Sequence, residues 1–304
     1  MIKETALRKI DILEKIEATE MTMGYLGPTG TYSWQAANLA ANLLQNQDFS
    51  RKMQFQGLTT ISDVLWQVQE GKLDMGIVPI ENSIEGAVTV TMDVLTHEVD
   101  LDILAELVLD IEHYLISLET KLSSIKRILS HPQALAQCRR NLQKLIPQGQ
   151  LVATNSSAEA VEKLKGGEKG LAALASKNAA LEYGLPLISD NLNDYPVNQT
   201  RFIIVGNKGL FRLKAQINAI KTSLVFILKE NRPGGLYSAL KHFAEEKVNL
   251  TRIESRPSKR KLGEYLFYID CEGFLDDQNM KKAMDNLRED ASFLKVFGSY
   301  PRLL

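Results

Sequence analysis

The sequence predicts an α/β protein built from two successive units, on three observations. From Met23 to about Gly206, short apolar runs alternate with helical patterns, the order expected of mainly parallel strands joined by helices. From Asn207 to Ile220 no strong period survives and glycine and lysine intrude, which marks a junction. Beyond Lys221 the pattern reads strand, helix, strand, strand, helix, strand, the order of a ferredoxin-like βαββαβ sandwich.

Residues 1–22 form an extension in which Leu7, Ile10, Leu13 and Ile16 recur every third position, a short amphipathic helix suited to docking on the body or on another subunit. This segment is charged throughout, and no apolar run approaches the roughly 18 residues of a membrane span, so a cytoplasmic protein without membrane partners is expected. The first unit, 23–206, has candidate strands at 23–26, 75–80, 101–109, 125–130, 151–154, 171–175 and 200–206. A linker over 207–220 leads to the second unit, 221–304. Its strands are expected at 222–228, 248–255, 264–272 and 292–300, and its helices at 236–247 and 277–290. The basic run Lys259, Arg260, Lys261 reads as a solvated turn tip.

Composition excludes several classes. Hydrophobic residues at 44% and charged residues at 24% exclude a disordered chain. Lys+Arg 36 against Asp+Glu 37 leaves a formal net charge of -1, with no cationic field for a nucleic acid. The two cysteines, Cys138 and Cys271, lack metal-ligand spacing and read as core thiols.

Five segments carry polar residues where a ligand could be held. In GPTGTYS an apolar strand turns through Gly27 to Gly30 into a helix, bringing free backbone N–H groups beside the hydroxyls of Thr29, Thr31 and Ser33, an arrangement that attracts anions. Its glycines match neither a dinucleotide fingerprint nor a phosphate-binding loop. The strand MGIVPI ends on Glu81, Asn82 and Ser83, at the strand end where open α/β sheets bind ligands; a turn with a solvated Glu81 accounts for them equally well. SHPQALAQC places Ser130 and His131 before Pro132 at a first helical position. In TNSSAEA, Ser156 and Glu159 have capping-box spacing, and Ser157 is left over. DYPVNQTRF delivers Thr200, Arg201 and Phe202 onto an apolar strand. Several polar helix starts and one obvious cation imply a small anion held mainly by neutral donors, in a cleft between lobes.

Together, GPTGTYS, VPIENSIEG, SHPQALAQC, NSSAEA and DYPVNQTRF resemble, in order, the prephenate dehydratase family over almost all of 23–206. NRPGGLYSALKHF followed by NLTRIESRP resembles the ACT regulatory domain attached to those enzymes, with its phenylalanine-responsive signature. The resemblance implies a two-lobed catalytic domain similar to periplasmic binding proteins, with the active site in its cleft, and a monofunctional enzyme that makes phenylpyruvate from prephenate without metal or organic cofactor. It implies that Thr200 is the essential threonine, and that Thr31, Ser33, Glu81, Asn82 and Ser83 belong to the cleft. Ser157 stands where the family usually has threonine, and Gly235 where the regulatory motif usually has alanine.

From these, Thr200 is expected to donate to the departing hydroxide and Glu81 to supply a proton. Substrate contacts are expected from Thr31, Ser33, Asn82, Ser83, Ser157, Arg201 and Phe202, with Arg201 free to pair with a substrate carboxylate or with protein. L-Phenylalanine is expected at Asn231, Pro233, Gly234, Gly235 and Leu236, and at Glu254, Ser255 and Arg256. Of these, Arg256 is read as orienting the loop or meeting a neighbouring subunit. A homodimer or homotetramer is expected. The alternatives are arogenate dehydratase and a non-catalytic amino-acid sensor.

Overall fold

The structure, a computed structural model, describes residues 10–12, 20–45, 52–209, 211–213 and 220–303. Strand β1 (Ile10–Ile12) pairs antiparallel with Phe211–Leu213, so the expected helix is replaced by strand at Ile10. Two β-branched isoleucines flanking one residue suit that pairing. Leu7, Leu13 and Ile16 lie outside the described residues.

The first lobe contains β2 (Glu20–Leu26), α1 (Tyr32–Gln45), β3 (Lys52–Leu58), α2 (Ile61–Gln69), β4 (Met75–Asn82), β5 (Gly86–Ala87), α3 (Thr89–His97) and β6 (Leu101–Asp110). The chain then crosses to a second lobe of β7 (Tyr114–Ile116), β8 (Arg127–Ser130), α4 (Pro132–Gln137), α5 (Arg139–Leu145), β9 (Gln150–Ala153), α6 (Ser157–Leu164), β10 (Leu171–Ala175) and α7 (Lys177–Tyr183). It returns to the first lobe as β11 (Gln199–Asn207) and continues into β12 (Phe211–Leu213). The first sheet has the order β3-β2-β4-β11-β6, with β5 on β4; the second has the order β7-β10-β8-β9. The second sheet is mainly parallel, as expected, with only β7 running against β10, whereas the first is mixed because β11 runs against β4 and β6. The double crossing is the cause, because a chain that leaves through β6 and re-enters from the same end must run backwards beside it. Strand β3 escapes the sequence pattern because it is an exposed edge of which Met53 alone is buried.

Helix α1 covers one face of the first sheet, over Met21, Met23, Met75, Ile77, Leu107 and Phe202. Helices α2 and α3 cover the other, with Val64, Leu65, Met92 and Leu95 over Val78, Ile80, Ile203 and Val205.

The C-terminal unit runs β13 (Ile220–Leu228), α8 (Gly235–Glu245), β14 (Leu250–Pro257), β15 (Tyr265–Glu272), α9 (Gln278–Asp290) and β16 (Ala291–Pro301), the expected element order. Its sheet, β14-β15-β13-β16, is antiparallel throughout. Helices α8 and α9 cover one face. The other face joins the first lobe's core, where Val225, Ile227, Leu266, Tyr268, Phe297 and Tyr300 meet the α2 and α3 side of the first sheet. At Gly298 (φ +139) a Cβ would come within 2.7 Å of the Ile103 carbonyl oxygen, so β16 approaches β6 at a distance only glycine permits. Lys295 Nζ donates to the Leu95 and Val99 carbonyls, both at 2.7 Å, satisfying acceptors at the C-terminal end of α3. The basic turn is not merely solvated: Lys259 reaches Asp93 at 2.7 Å and Arg260 lies 5.4 Å over the Phe293 ring. Cys138 and Cys271 are buried thiols, each pushed up to about 12 by burial. No helix among the described residues is long and apolar enough to cross a membrane.

Candidate active site

A cleft of about 450 Å³ lies between the two lobes, and six helices turn their first residues towards it. Thr31, Tyr32 and Ser33 open α1, Ile61 opens α2 and Val88 precedes α3. His131 precedes α4, Ser156 and Ser157 open α6, and Ser176 precedes α7. Each helix start carries partial positive charge and unpaired N–H groups, so their convergence makes an anion site without a formal cation. No lysine or arginine is among the lining residues.

Several hydroxyls are already committed. Thr31 Oγ1 donates to Pro28 O at 2.9 Å and accepts from Trp34 N at 3.2 Å, which makes it the cap of α1. Ser156 accepts from Glu159 N at 3.0 Å, and Glu159 returns to the Asn155 N–H, one residue short of a reciprocal capping box. Ser130 donates to Leu174 O at 2.5 Å and therefore accepts from Ser157, whose Oγ is 3.0 Å away.

Thr200 is placed differently. Asn82 Oδ1 accepts from the Ile84 and Glu85 N–H groups at 2.9 and 3.0 Å, which fixes the amide with its nitrogen towards β11. That Nδ2 donates to Thr200 Oγ1 at 2.9 Å and to Asn198 Oδ1 at 2.8 Å. Asn198 in turn donates to Gln137 Oε1 at 2.9 Å, and Gln137 to Glu85 Oε1 at 3.2 Å. Because the Thr200 oxygen is used as an acceptor, its proton remains free to donate into the cleft.

The structure corrects the role given to Glu81. Strict alternation along β4 would turn Glu81 to the cleft and Asn82 away from it. Between β4 and β11 the register slips, pairing Arg201 with Glu81 but Phe202 with Pro79. The bulge leaves Ile80 and Glu81 on the same face, Ile80 in the core shared with the C-terminal unit and Glu81 with Arg201 at 3.3 Å and Arg252 at 3.5 Å. Asn82 thereby regains the cleft. Arg201 also faces away, paired with Asp270 at 2.7 Å and Glu106 at 3.2 Å. Ser83 is exposed and accepts from Gln199 N at 2.9 Å, tying down the strand entry. Of the expected contacts, Thr31, Ser33, Asn82, Ser157, Thr200 and Phe202 line the cleft; Glu81, Ser83 and Arg201 do not.

Gln137, Asn198, Ser176 and His113 were not anticipated. Asn198 could have been found, since it precedes Thr200 by two and shares its strand face; Gln137 stands four residues after Gln133 on one helix face. His113 lies at the crossing between lobes. Asn193 Nδ2 donates to Ile111 O, so its Oδ1 accepts the His113 Nδ1 proton at 2.9 Å, and His113 Nε2 is left as an acceptor. Burial holds this imidazole below its ordinary value of 6.5, partly opposed by the Asn193 bond.

The prephenate dehydratase family model matches residues 23–209, and an ACT domain model matches residues 222–289. The chain belongs to the prephenate dehydratase family. It is 42% identical over 278 residues to the prephenate dehydratase of Methanocaldococcus jannaschii, covering 91% of this chain and 97% of that one. It is 37% identical over 283 residues to that of Lactococcus lactis subsp. cremoris, covering 92% and 97%. A crystal structure of the Arthrobacter aurescens prephenate dehydratase in complex with L-Phe superposes with a TM-score of 0.81 at 34% identity, covering 93% of this chain and 90% of that one. The protein is thus a dehydratase, a carbon–oxygen lyase, with an appended ACT unit.

Within this dehydratase the expected effector residues gather at one end of the ACT sheet. Phe226 and Ser255 both pair with Phe267, which brings the loop after β13 level with the end of β14. Asn231 Nδ2 donates to Gly263 O at 3.1 Å, joining that loop to the turn after β14. Gly234 precedes α8 at φ +78, and nothing lies within 4 Å of where its Cβ would be, so its backbone is open to a ligand. At Gly235 a Cβ would make only ordinary contacts, so the alanine common in the motif would fit. Pro233 is exposed and Leu236 packs on the ACT core. Glu254 and Arg256 turn inward and Ser255 outward. Arg256 bonds Asp93 of α3 through Nη2 at 3.2 Å, a partner in the first lobe that was not among those expected.

Proposed function

We propose that this dehydratase binds prephenate in the inter-lobe cleft, that Thr200 donates to the departing ring oxygen, and that L-phenylalanine bound to the ACT unit inhibits turnover. The observation that carries the site is the Thr200 hydroxyl, held through its oxygen by Asn82 with its proton free. Prephenate carries two carboxylates and a ring hydroxyl. Breaking the bond to the ring carboxylate releases carbon dioxide, its electron pair moves through the diene, and the carbon–oxygen bond para to it breaks, so hydroxide leaves and becomes water on protonation. Aromatisation drives the step. The protein supplies orientation of the dianion by helix starts, a partly dry cleft, and a donor at the developing hydroxide. With Glu81 outside the cleft, Thr200 acts here as a hydrogen-bond donor and no carboxylate is assigned as its proton source.

The regulatory reading is supported by the similar Arthrobacter aurescens protein, crystallised with L-Phe, and by the open backbone at Gly234. Inhibition requires that phenylalanine favour the less active state, and coupling energies of about 1 to 3 kcal/mol are usual. We divide the chain into a catalytic unit over 23–206, a linker over 207–220 and a regulatory unit over 221–304. Two copies would pair beside the exposed edge strand β14, where Ile253 and Tyr265 present apolar surface, in a homodimer or a tetramer of such pairs. We assign this biosynthetic role to the cytoplasm.

The deciding experiment is side-by-side steady-state kinetics on prephenate and arogenate, with and without L-phenylalanine. Phenylpyruvate release from prephenate at the higher kcat/KM, reduced by phenylalanine, is expected. Preference for arogenate, or prephenate binding without product, overturns the assignment.

A further inference from the structure

Six charged side chains form one network behind the cleft. Arg201 meets Asp270 at 2.7 Å, Glu106 at 3.2 Å and Glu81 at 3.3 Å. Lys221 meets Glu106 at 2.7 Å, and Arg252 meets Glu81 at 3.5 Å. The network is neutral only as a whole. The catalytic unit contributes Glu81, Glu106 and Arg201, two carboxylates against one guanidinium, and is left one negative charge over. The ACT unit contributes Lys221, Arg252 and Asp270, two cations against one carboxylate, and is left one positive charge over. Arg201, Glu106 and Asp270 are buried, where an unmatched charge is costly, so each unit needs the other to neutralise it.

Asp270 is the member of the ACT unit that bonds Arg201, the neighbour of Thr200 on β11. Ser223 Oγ donates to its Oδ1 at 2.5 Å and Arg201 to its Oδ2 at 2.7 Å, so both oxygens are held. Burial pushes its carboxyl up, but Arg201, Arg252 and the Ser223 bond outweigh that and hold it below the ordinary carboxylate range. Arg201 is bonded through the backbone to Thr200 and stands beside the bulge that turns Asn82 to the cleft. A displacement of β15 is therefore passed to the one stretch of β11 that aims the Thr200 hydroxyl. Asp270 also pairs in register with Arg252, which shares the inward face of β14 with Glu254 and Arg256 of the expected effector segment.

We propose that Asp270 is a positioning residue for the dehydration step: through Arg201 it sets the position of Thr200, and through β14 it makes that position depend on the state of the ACT unit. The second half rests on the regulatory reading above; the first does not.

The test is Asp270→Asn in the full-length protein, alone and combined with Thr200→Ala. Misplacement of a reacting group by about 1 Å can cost up to about a hundredfold in rate, so kcat should fall between roughly tenfold and a hundredfold while KM stays within about twofold. In the Thr200→Ala background the same substitution should cost less than about twofold, because the group it positions is already gone. Binding of phenylalanine, measured by calorimetry, should persist while inhibition weakens. Wild-type kcat in folded Asp270→Asn, or an equal fold-loss with and without Thr200, overturns the proposal and leaves Asp270 a purely structural ion. If Asp270→Asn does not fold, Ser223→Ala, which removes only one bond to the carboxylate, serves instead. A kcat loss that vanishes in the Thr200→Ala background supports the proposal, and an unchanged or additive kcat overturns it. If phenylalanine does not inhibit the wild type, the regulatory reading fails, and the kcat comparison still decides the role of Asp270.

Discussion

Thr200 and Arg201 are consecutive on β11 and face opposite sides of its sheet: Thr200 Oγ1 accepts from Asn82 on the cleft side, and Arg201 Nη1 donates to Asp270 of the ACT unit on the other. One peptide bond thus separates the residue proposed to act in the cleft from the interface with the ACT unit. Strand alternation is what makes this possible, since neighbouring residues must diverge by about half a turn.

Thr200→Ala tests the cleft side directly. The substitution removes a donor aimed into a partly dry site, and loss of one such donor costs about a hundredfold to a thousandfold in rate. The variant is expected to melt like the wild type and to lose kcat by that factor; near-wild-type kcat would remove Thr200 from the chemistry.

Glu81→Gln separates proton donation from charge balance. Its carboxylate is half-exposed and faces Arg201 and Arg252, both outside the cleft lining. Both limbs of the pH-rate profile should persist, and stability should drop by about 1 to 3 kcal/mol, since Arg201 keeps Asp270 and Glu106 but the largely buried side chain of Arg252 loses its carboxylate. Loss of one limb would return Glu81 to the reaction.

His113 gives a pH signature of stability. Its folded-state value lies below the ordinary 6.5 because burial disfavours the cation, so below that pH the unfolded chain binds the proton more readily. The stabilisation from a neutral His113 is complete above about pH 6.5 and declines as pH falls from there towards the folded-state value. Melting temperatures across pH 5 to 8 should therefore show a steeper acid-side fall in the wild type than in His113→Gln. Parallel curves would mean that His113 does not titrate between the folded and unfolded states.

Gly234→Val probes the effector loop. A left-handed φ costs an L residue roughly 1–2 kcal/mol, more for a β-branched one, and the new side chain would occupy the open space beside the loop. Basal turnover is expected to survive while phenylalanine inhibition weakens at least about tenfold, a loss of ~1.4 kcal/mol in binding. Unchanged inhibition would place the effector elsewhere.

Local sequence alone specifies the strands at 75–80, 101–109 and 200–206, the βαββαβ order of the C-terminal unit, and the helix starts that follow the turn at Gly27 to Gly30, lie at Pro132 and follow Ser156. Each follows from local apolar period, capping residues or proline position. The sequence also sets Thr200 apart, through the order of the family's motifs, and that residue lies on the cleft lining.

Which side chains share the cleft depends on packing between distant segments. Pro79, inside a central strand, was the available sign of a bulge, because a residue without an N–H is tolerated there where the ladder is broken. The slip itself depends on pairing with β11, some 120 residues later, and it alone sends Glu81 to the back and Asn82 to the front. The docking of the ACT sheet on the first lobe was likewise invisible, as Arg201, Glu106 and Asp270 come from three distant strands and reach neutrality only with Glu81, Lys221 and Arg252. Local period fixes what a segment becomes and which face it buries. Which charges and donors meet is set by long-range register, and no window of the sequence is wide enough to contain it.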